Sequence, residues 1–304
     1  MRKKKGGGSG DGPPRRFPPP LIECKSKERI EKLFRETVVV SRQEREQWEK
    51  LKKRKGNIFA EYADFNPHER AFFFSLLYDQ FAQTYDSHMG QETGHYEAMR
   101  DVLSFSSRYL RAPLLDITAG TGEMLLFALE LASLGNSLRS HDMKPWQKVA
   151  CRLLPEMGLG SVVANEISPG MLEIARRKLH GYDIAYTTYN ALGLPENWQF
   201  RTVLCSQTMH LLAEADKKLF VQSIHRALVP GGHAVVIEED PFYVTPTPAI
   251  DGVGLFIRAV ACPIKPRVLI GHFETNGFEK MERRAAHPID ENHVMRVHIF
   301  QKSP

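Results

Sequence analysis

The sequence places a carboxylate directly before a loop of small residues, a pattern suited to binding a small charged ligand. Asp116 ends the apolar run Leu114-Leu115-Asp116, and Ala119-Gly120-Thr121-Gly122 follows before a helical segment that starts beside Glu123. Glycines let the backbone approach a ligand closely, and the start of a helix offers unpaired N–H groups. An acid at this point repels a pyrophosphate and instead favours a ligand with an ammonium or sulfonium group.

Other polar side chains end the next short apolar segments of the chain. These are Glu166, Asn190, Gln207 and Glu239. Apolar strands that alternate with helices predict a parallel sheet covered by helices on both faces. Ligands of such sheets bind beyond the carboxyl ends of the strands, where the strand order reverses. We therefore expect these polar residues to lie at one edge of the sheet.

These segments resemble the motifs of the class I S-adenosylmethionine (SAM) dependent methyltransferases. The family's first motif is acid-x-Gly-x-Gly-x-Gly, and this chain departs from it with Thr118 at the first glycine and Leu125 at the third. A helix, the turn Val229-Pro230-Gly231-Gly232 and an apolar strand follow in the family's order, so the resemblance covers residues 78–302. It implies a Rossmann-like α/β fold with helices on both faces of a seven-stranded, mostly parallel sheet. An antiparallel hairpin, 278–284 and 293–301 joined by a turn at 287–292, would close that sheet.

The resemblance also implies a donor site for SAM, with S-adenosylhomocysteine (SAH) as the product. Glu166 would bind the ribose hydroxyls, and Asn190 would meet the adenine amino group where relatives commonly have Asp. The segment Tyr78-Asp79-Gln80-Phe81-Ala82-Gln83-Thr84-Tyr85-Asp86 resembles one that covers the cofactor in quinone-methylating relatives. The predicted donor-site residues are Tyr78, Tyr85, Asp116, Thr118, Ala119, Gly120, Thr121, Gly122, Glu166, Ile167, Asn190, Ala191 and Gln207.

Methyl transfer from a sulfonium requires a nucleophile about 3 Å away and aligned, and a base where the acceptor must lose a proton. His210 and Glu239 are the candidate catalytic residues. The candidate acceptor contacts are His210, Asp240, Phe242 and Tyr243. His210 has an alternative interpretation as a packed histidine at a helix start, and the two aromatic residues as core beneath a long loop. Glu238 is expected to alternate to the solvent face.

The resulting hypothesis is an enzyme that methylates a small molecule, aromatic or quinone-like, by in-line displacement. A methyltransferase-like module that binds SAM in a structural or regulatory role is the alternative. RNA and protein acceptors also remain open, although Ser206-Gln207-Thr208-Met209 lacks the Asn/Asp-Pro-Pro-aromatic motif of enzymes that methylate base amino groups. The acceptor, its reacting atom and the oligomeric state are not defined by the sequence.

Composition constrains the remainder of the interpretation. The chain has 304 residues, 42% of them hydrophobic, and no apolar run that spans a bilayer or forms a secretory signal. Its four cysteines lack metal-ligand spacing, so we expect reduced thiols, no metal site and a cytoplasmic protein. The net charge of +5 resides in residues 1–16, which carry six basic residues and one acid, so the remainder has no basic surplus that would indicate a nucleic-acid site.

The predicted organisation has three parts. Residues 1–22 form a basic tail rich in Gly and Pro, which we expect to be disordered, and 23–65 a charged helical extension. Residues 66–304 form the methyltransferase domain, with an acceptor-side segment at about 241–270. Glu166 follows Asp116 by 50 positions, where a compact unit places its second acid about 20 residues after the glycine loop. This surplus predicts an insertion at about 135–160.

Overall fold

The computed structural model of the protein describes residues 24–41, 61–92, 95–136, 162–240, 264–281, 285–289 and 294–304. The helices that position the site are α1 (Cys24–Ser41), α2 (Pro67–Ser87), α3 (His95–Phe105), α4 (Glu123–Asn136), α5 (Pro169–Lys178), α6 (Glu214–Ala227) and α7 (Pro266–Glu274). The strands are β1 (Leu114–Asp116), β2 (Val162–Asn165), β3 (Ile184–Thr187), β4 (Phe200–Ser206), β5 (Leu228–Asp240), β6 (Phe278–Lys280), β7 (Ala285–Pro288) and β8 (Val294–Lys302). A π-helical turn, His88–Glu92, follows α2, and a 3₁₀ turn, Met209–Leu211, follows β4.

The strands form one sheet in the order β3-β2-β1-β4-β5-β8-β6, with β7 also paired to β8. Strands β1 to β5 are parallel, and β8 runs antiparallel to β5, β6 and β7. The predicted α/β class, the mostly parallel sheet and its antiparallel C-terminal end are thus confirmed. One detail differs: Ala285–Pro288 forms an eighth strand where the sequence predicts a turn. The three residues of β6 pair with only the end of the nine-residue β8, so the start of β8 is available to β7.

Two helices that border the site begin at side-chain caps. The Asn66 side chain accepts the backbone N–H groups of His68 and Glu69, and Glu69 accepts the N–H of Asn66 in return, forming a complete capping box. Ser168 caps α5 by accepting the N–H of Met171, with Pro169 in the first turn. The sequences Asn66-Pro67-His68-Glu69 and Ser168-Pro169 already predict these two helix starts, because capping depends only on neighbours in the chain.

The sheet separates two apolar layers. Alternate residues of β5 point to opposite faces, so Ala234 and Val236 pack with α6 and α7, whereas Val235 and Ile237 pack with α3, α4 and α5. A third cluster joins α1 to α2 through residues that include Ile30, Tyr62, Phe65, Phe73 and Leu77. The described part of the N-terminal extension therefore contributes to the core that holds α2.

Several predicted segments fall outside the described residues. They include residues 1–23, 137–161 of the predicted insertion and 241–263 of the acceptor-side segment. Among the helices that the structure describes, none combines the length and hydropathy needed to cross a bilayer.

Candidate functional site

A cavity lies at the carboxyl ends of β1, β2, β3 and β4, beneath α2. It encloses about 900 Å³ of unfilled space, its open mouth included. Its floor contains residues that follow these four strands, and residues of α2 form much of its roof. This is the sheet edge that the polar strand ends predict.

Nine of the thirteen predicted donor-site residues line this cavity. They are Tyr78, Tyr85, Thr118, Gly120, Glu166, Ile167, Asn190, Ala191 and Gln207. The other four, Asp116, Ala119, Thr121 and Gly122, are buried and do not line it. The structure therefore brings the predicted residues together, with part of the glycine loop forming a second layer behind the cavity wall.

Glu166 connects three elements at the floor of the cavity. Its Oε2 accepts the backbone N–H of Gly120 at 2.9 Å, and its Oε1 accepts the N–H of Ser168 at 2.8 Å. Burial raises the pKa of Glu166, and these two N–H groups oppose that rise only in part. Each carboxylate oxygen retains a further acceptor position, so the group can also accept two ligand hydroxyls.

The two glycines of the loop have different structural roles. Both have left-handed backbones, with φ of 54° at Gly120 and 81° at Gly122. A Cβ at Gly122 would lie 3.0 Å from Leu179 Cδ1 and 3.1 Å from Ala175 Cβ, so this glycine permits close packing on α5. A Cβ at Gly120 would meet no atom within 4 Å, and Gly120 lines the cavity. A side chain at position 120 would therefore project into unfilled space at the cavity wall.

Thr118, which replaces the family's first glycine, joins the loops that follow β1 and β4. Its Oγ1 lies 2.6 Å from Oγ1 of Thr208. The neighbouring Gln207 has a positive φ of 51°, and its side-chain amide donates to the sulfur of Met295 at 3.0 Å. A hydroxyl at position 118 thus fixes the two loops against each other where the family motif has no side chain.

Asp116 is completely buried at the end of β1. Neither carboxylate oxygen accepts a hydrogen bond of normal geometry from the described residues. Burial raises the pKa of Asp116 to about 7, although the Thr118 backbone N–H favours the charged form and Glu166 opposes it. A cation bound at the adjacent glycine loop would stabilise the charged carboxylate, which fits the ammonium of a SAM-type ligand.

Asn190 and Asn165 are buried, and their side-chain amides differ in how many hydrogen bonds they can still form. Asn190 Oδ1 accepts the N–H of Leu192, and its amide nitrogen lies 3.1 Å from His68 Nδ1. Its carbonyl oxygen keeps one acceptor position for a ligand. Asn165 donates to the carbonyls of Ile117 and Tyr189 and accepts from the Thr187 hydroxyl and the Tyr189 N–H. Asn165 therefore fastens three strand ends together and has no capacity left for a ligand.

The paired tyrosines of α2 form one side of the roof. Tyr78 and Tyr85 both line the cavity, with ring centroids 6.1 Å apart in an edge-to-face arrangement. Burial raises the pKa of both phenols well above the ordinary value, and nearby Glu166 adds to the rise. Burial therefore favours the neutral form of both hydroxyls.

Helix α2 is bonded to the rest of the domain at several positions along its length. Arg70 forms a bidentate ion pair with Asp216 of α6, both distances being 2.7 Å. The Asp79 carboxylate accepts from the Ser168 hydroxyl at 2.5 Å and from the Gly170 N–H at 2.7 Å, at the start of α5. These contacts hold α2 across the cavity and connect it to elements that also line the site.

Beyond the predicted donor residues, the cavity has a second, mainly apolar part, which we call the apolar lobe. It is lined by Tyr62, Pro67, Ala71, Phe74, Leu211, Leu212 and Phe220. The Arg70–Asp216 ion pair also lines this part of the cavity, and its two charges neutralise each other. These lining residues thus present aromatic and aliphatic surface without a net charge, within the same cavity as the predicted donor residues.

His210 is not among the residues that line the cavity, and its contact with the acceptor stays a prediction. Its side chain is buried, and Nδ1 lies 2.8 Å from Glu238 Oε2. Glu238 is also buried, contrary to the expected solvent exposure, because its Oε1 accepts the N–H groups of Thr208 and Met209. Together they stabilise the turn after β4, in agreement with the alternative interpretation of a packed histidine.

The other predicted catalytic and acceptor residues also lie away from the cavity. Glu239 is buried on the opposite face of β5, with Oε2 3.2 Å from His95 Nε2 on α3. Asp240 pairs with Arg296 at 2.6 Å and lines a separate cleft beside α7. Phe242 and Tyr243 lie outside the described residues. Strand alternation and these pairings thus direct the acids of β5 away from the main cavity.

The residues of the apolar lobe are the ones that sequence reasoning missed. Tyr62 and Phe74 belong to a run of aromatic residues that is easily interpreted as core, and part of that run is core. Asp216 lies 146 positions from Arg70, and no local motif connects them. The capping box at Asn66 marks the start of α2, but no local pattern indicates what that helix contacts.

Comparisons with known proteins agree with this geometry. Residues 148–232 match a family model described as a methyltransferase domain. The solved structure of the CcbJ methyltransferase from Streptomyces caelestis superimposes with a TM-score of 0.50 at 16% identity, over 75% of this chain and 98% of that one. This chain has the class I methyltransferase fold. The structure of DhpI with SAH gives a TM-score of 0.49 at 15% identity, over 76% of this chain and 96% of that one.

One curated relative matches part of the sequence. It is the demethylmenaquinone methyltransferase of Clavibacter sepedonicus, 36% identical over 103 residues. The match covers 33% of this chain and 40% of the relative, so the chain spans less than half of the relative's length.

Proposed function

We propose that the protein is a SAM-dependent methyltransferase that acts on a small apolar acceptor, aromatic or quinone-like. The observation that carries the proposal is the Glu166–Gly120 bond at the floor of the cavity. It places an acid with spare acceptor positions beside a loop whose backbone leaves room for a ligand. The methyltransferase-domain match over residues 148–232 supports the same activity.

In this proposal each residue of the donor site has a separate task. Glu166 accepts the ribose hydroxyls, Asn190 accepts from the adenine amino group, and Asp116 stabilises the positive charge of the methionine part from behind the loop. Tyr78 and Tyr85 cover the ligand and exclude water. Bound SAM supplies an activated methyl group, so the protein has mainly to align donor and acceptor.

The apolar lobe supports the acceptor class. Tyr62, Phe74 and Phe220 offer aromatic surface, and the paired charges of Arg70 and Asp216 have no net attraction for an ion. A flat or aliphatic uncharged molecule fits these surroundings better than a phosphate or a peptide charge. The name of the curated relative, a demethylmenaquinone methyltransferase, is in keeping with a quinone-like acceptor.

The experiment that tests the proposal uses the full chain, labelled SAM and a cell extract separated into metabolite, protein and RNA fractions. We expect label in the metabolite fraction, in apolar compounds. The Glu166→Ala variant should lose this labelling, whereas the exposed acid Glu173 on α5 provides a matched control, Glu173→Ala, that retains it. Label confined to protein or RNA would contradict the small-molecule acceptor.

A SAM-binding module without methyl transfer is the second candidate. The observation in its favour is that neither predicted base, His210 or Glu239, lines the cavity. SAM binding by calorimetry without label transfer to any fraction would support this role. Absence of both binding and transfer would contradict the two candidates together.

A further inference from the structure

A polar cluster behind the glycine loop joins four helices of the domain. At its centre, the Lys178 ammonium directs its three N–H donors to three acceptors. These are Asp86 Oδ2 at 2.7 Å, Glu123 Oε2 at 3.0 Å and Thr121 Oγ1 at 3.2 Å. Asp86 comes from α2, Glu123 from α4 and Lys178 from α5, and Tyr96 of α3 completes the cluster.

The other carboxylate oxygen of Asp86 accepts a hydrogen bond from the glycine loop. The Thr121 hydroxyl donates to Asp86 Oδ1 at 2.5 Å, and the Tyr96 hydroxyl donates to the same oxygen at 2.6 Å. Partial burial opposes ionisation of Asp86, but the bonds from Lys178, Thr121 and Tyr96 outweigh it, so its pKa is lowered. The carboxylate therefore stays charged, and both of its oxygens are engaged, throughout the neutral pH range.

Thr121 is the central residue of the glycine loop. It lies between Gly120 and Gly122, both with left-handed backbones that glycine adopts without steric cost. Two such residues give the loop little conformational preference of its own. The bonds to the Thr121 hydroxyl restrain a segment in which the N–H of the preceding residue, Gly120, donates to Glu166.

We propose that Asp86 is a positioning residue of the donor site, which holds Thr121 so that the glycine loop keeps its binding shape while α2 covers the cavity. The inference rests on the proposed function, because it concerns the same donor site. Asp86 does not line the cavity, so it acts through Thr121 and through its neighbour Tyr85, which does. Loop shape and roof position are thereby coupled: a displacement of α2 at Asp86 removes restraints from both.

The test compares the full-length wild type with Asp86→Asn, Thr121→Val and the double variant. SAH is the probe, and its dissociation rate is measured by stopped flow. Asp86→Asn removes the ion pair with Lys178 and leaves only a neutral amide oxygen to accept from the Thr121 hydroxyl, whereas Thr121→Val removes that bond altogether. SAH release should therefore speed up by roughly tenfold in each single variant, which corresponds to about 1.4 kcal/mol. The double variant should release SAH no faster than the faster single variant, because both substitutions act on one shared interaction.

A second readout needs no ligand. Hydrogen exchange at the amides of residues 120–123 should accelerate in ligand-free Asp86→Asn and Thr121→Val, which a role confined to global stability would not produce selectively. The matched control is Asp101→Asn on α3, which removes the ion pair with His287 of β7 (2.8 Å) and lies outside the cavity lining. We expect less than a twofold change in SAH release for this control.

The outcomes separate the inference from the proposed function. A wild type that does not bind SAH contradicts the proposed function, and the exchange data then decide the positioning role alone. A wild type that binds SAH, with unchanged release and unchanged loop exchange in both single variants, overturns the inference. If Asp86→Asn fails to fold, Thr121→Val alone decides, because valine keeps the shape of threonine and lacks only the hydroxyl.

Discussion

Glu166 accepts the backbone N–H of Gly120 at 2.9 Å, although the two residues are 46 positions apart in the chain. The other oxygen of the same carboxylate holds the Ser168 N–H at the start of α5. One side chain thus fixes the glycine loop, the end of β2 and the first turn of a helix. A ligand that binds Glu166 therefore meets an acceptor that is already oriented.

The first prediction concerns the Glu166→Ala variant. We expect SAH affinity to fall by roughly 100-fold and the free energy of unfolding to fall by about 2 to 3 kcal/mol, because two backbone N–H groups lose their acceptor. Calorimetry measures the affinity, and urea unfolding measures the stability. Glu173→Ala, at an exposed acid of α5, should change neither quantity. Undiminished SAH binding by Glu166→Ala would contradict the donor site as assigned.

The second prediction uses the raised pKa of Asp116. Because its folded pKa is about 7 against an ordinary value of 3.8, its contribution to stability is greatest below about pH 4 and is lost as the pH rises towards 7. Above pH 7 the buried charge of Asp116 lowers the free energy of unfolding, by on the order of 4 kcal/mol at most for a shift of this size. An Asp116→Asn variant carries no such charge. Unfolding free energy measured from pH 5 to 8 should therefore decline less steeply in the variant than in the wild type.

Ligand affinity should change in the opposite sense in the same variant. A cationic donor favours the charged Asp116, so wild-type SAM affinity should rise from pH 6 to 8, whereas Asp116→Asn should bind weakly and without this slope. The variant would then be the more stable protein and the poorer binder. If SAM affinity depends on pH equally in both proteins, the Asp116 carboxylate does not stabilise the positive charge of the ligand.

The sequence predicted those parts of the site that depend on neighbours in the chain. The Asn66 and Ser168 caps, the strand-end acid Glu166 and the glycine loop all follow local patterns. The direction of each side chain on β5 was not predictable, because alternation places Glu238 and Glu239 on opposite faces without saying which face meets which partner. Only the pairing of Glu238 with the turn after β4 determines that His210 is buried.

The apolar lobe was unpredictable for a different reason. Its walls come from α2 and α6, whose contact depends on how α2 docks across the sheet edge. Arg70 and Asp216 pair over 146 positions, and each alone reads as an ordinary charge on a helix. Interactions of this kind are set by the tertiary arrangement, so a local motif carries no information about them.

The third prediction compares the two loop glycines. Gly120→Ala should cost only about 1 to 2 kcal/mol of stability, the penalty of a left-handed alanine, because no atom lies within 4 Å of the new Cβ. It should weaken SAH binding strongly, since that methyl group would occupy ligand space. Gly122→Ala should cost more stability, because its Cβ would press on Leu179 and Ala175 of the α5 region. Thermal unfolding should show the larger loss of stability in Gly122→Ala, and calorimetry should show a strong loss of SAH affinity in Gly120→Ala. Equal stability losses in the two variants would contradict the different roles assigned to the two glycines.

The fourth prediction concerns the ion pair that joins α2 to α6. The Asp216 side chain is 3% exposed and that of Arg70 is 12% exposed, and the hydrogen bonds from Arg70 to Asp216 raise the pKa of Arg70. Arg70→Met leaves the Asp216 charge buried without its main partner, and it removes the bond to the Phe65 carbonyl. We expect a loss of roughly 3 to 5 kcal/mol in the free energy of unfolding.

The double variant Arg70→Met, Asp216→Leu should recover much of this stability, because apolar side chains of similar size replace both charges. Since the pair lines the apolar lobe, the double variant should also enlarge the lobe's apolar surface and tighten binding of an uncharged aromatic probe, while SAH affinity changes little. Urea unfolding of the wild type, the two single variants and the double variant gives the coupling energy, and titration with the probe tests the lobe. If the double variant is as unstable as the sum of the single losses, the two residues stabilise α2 through separate contacts and the pair does not act as a unit.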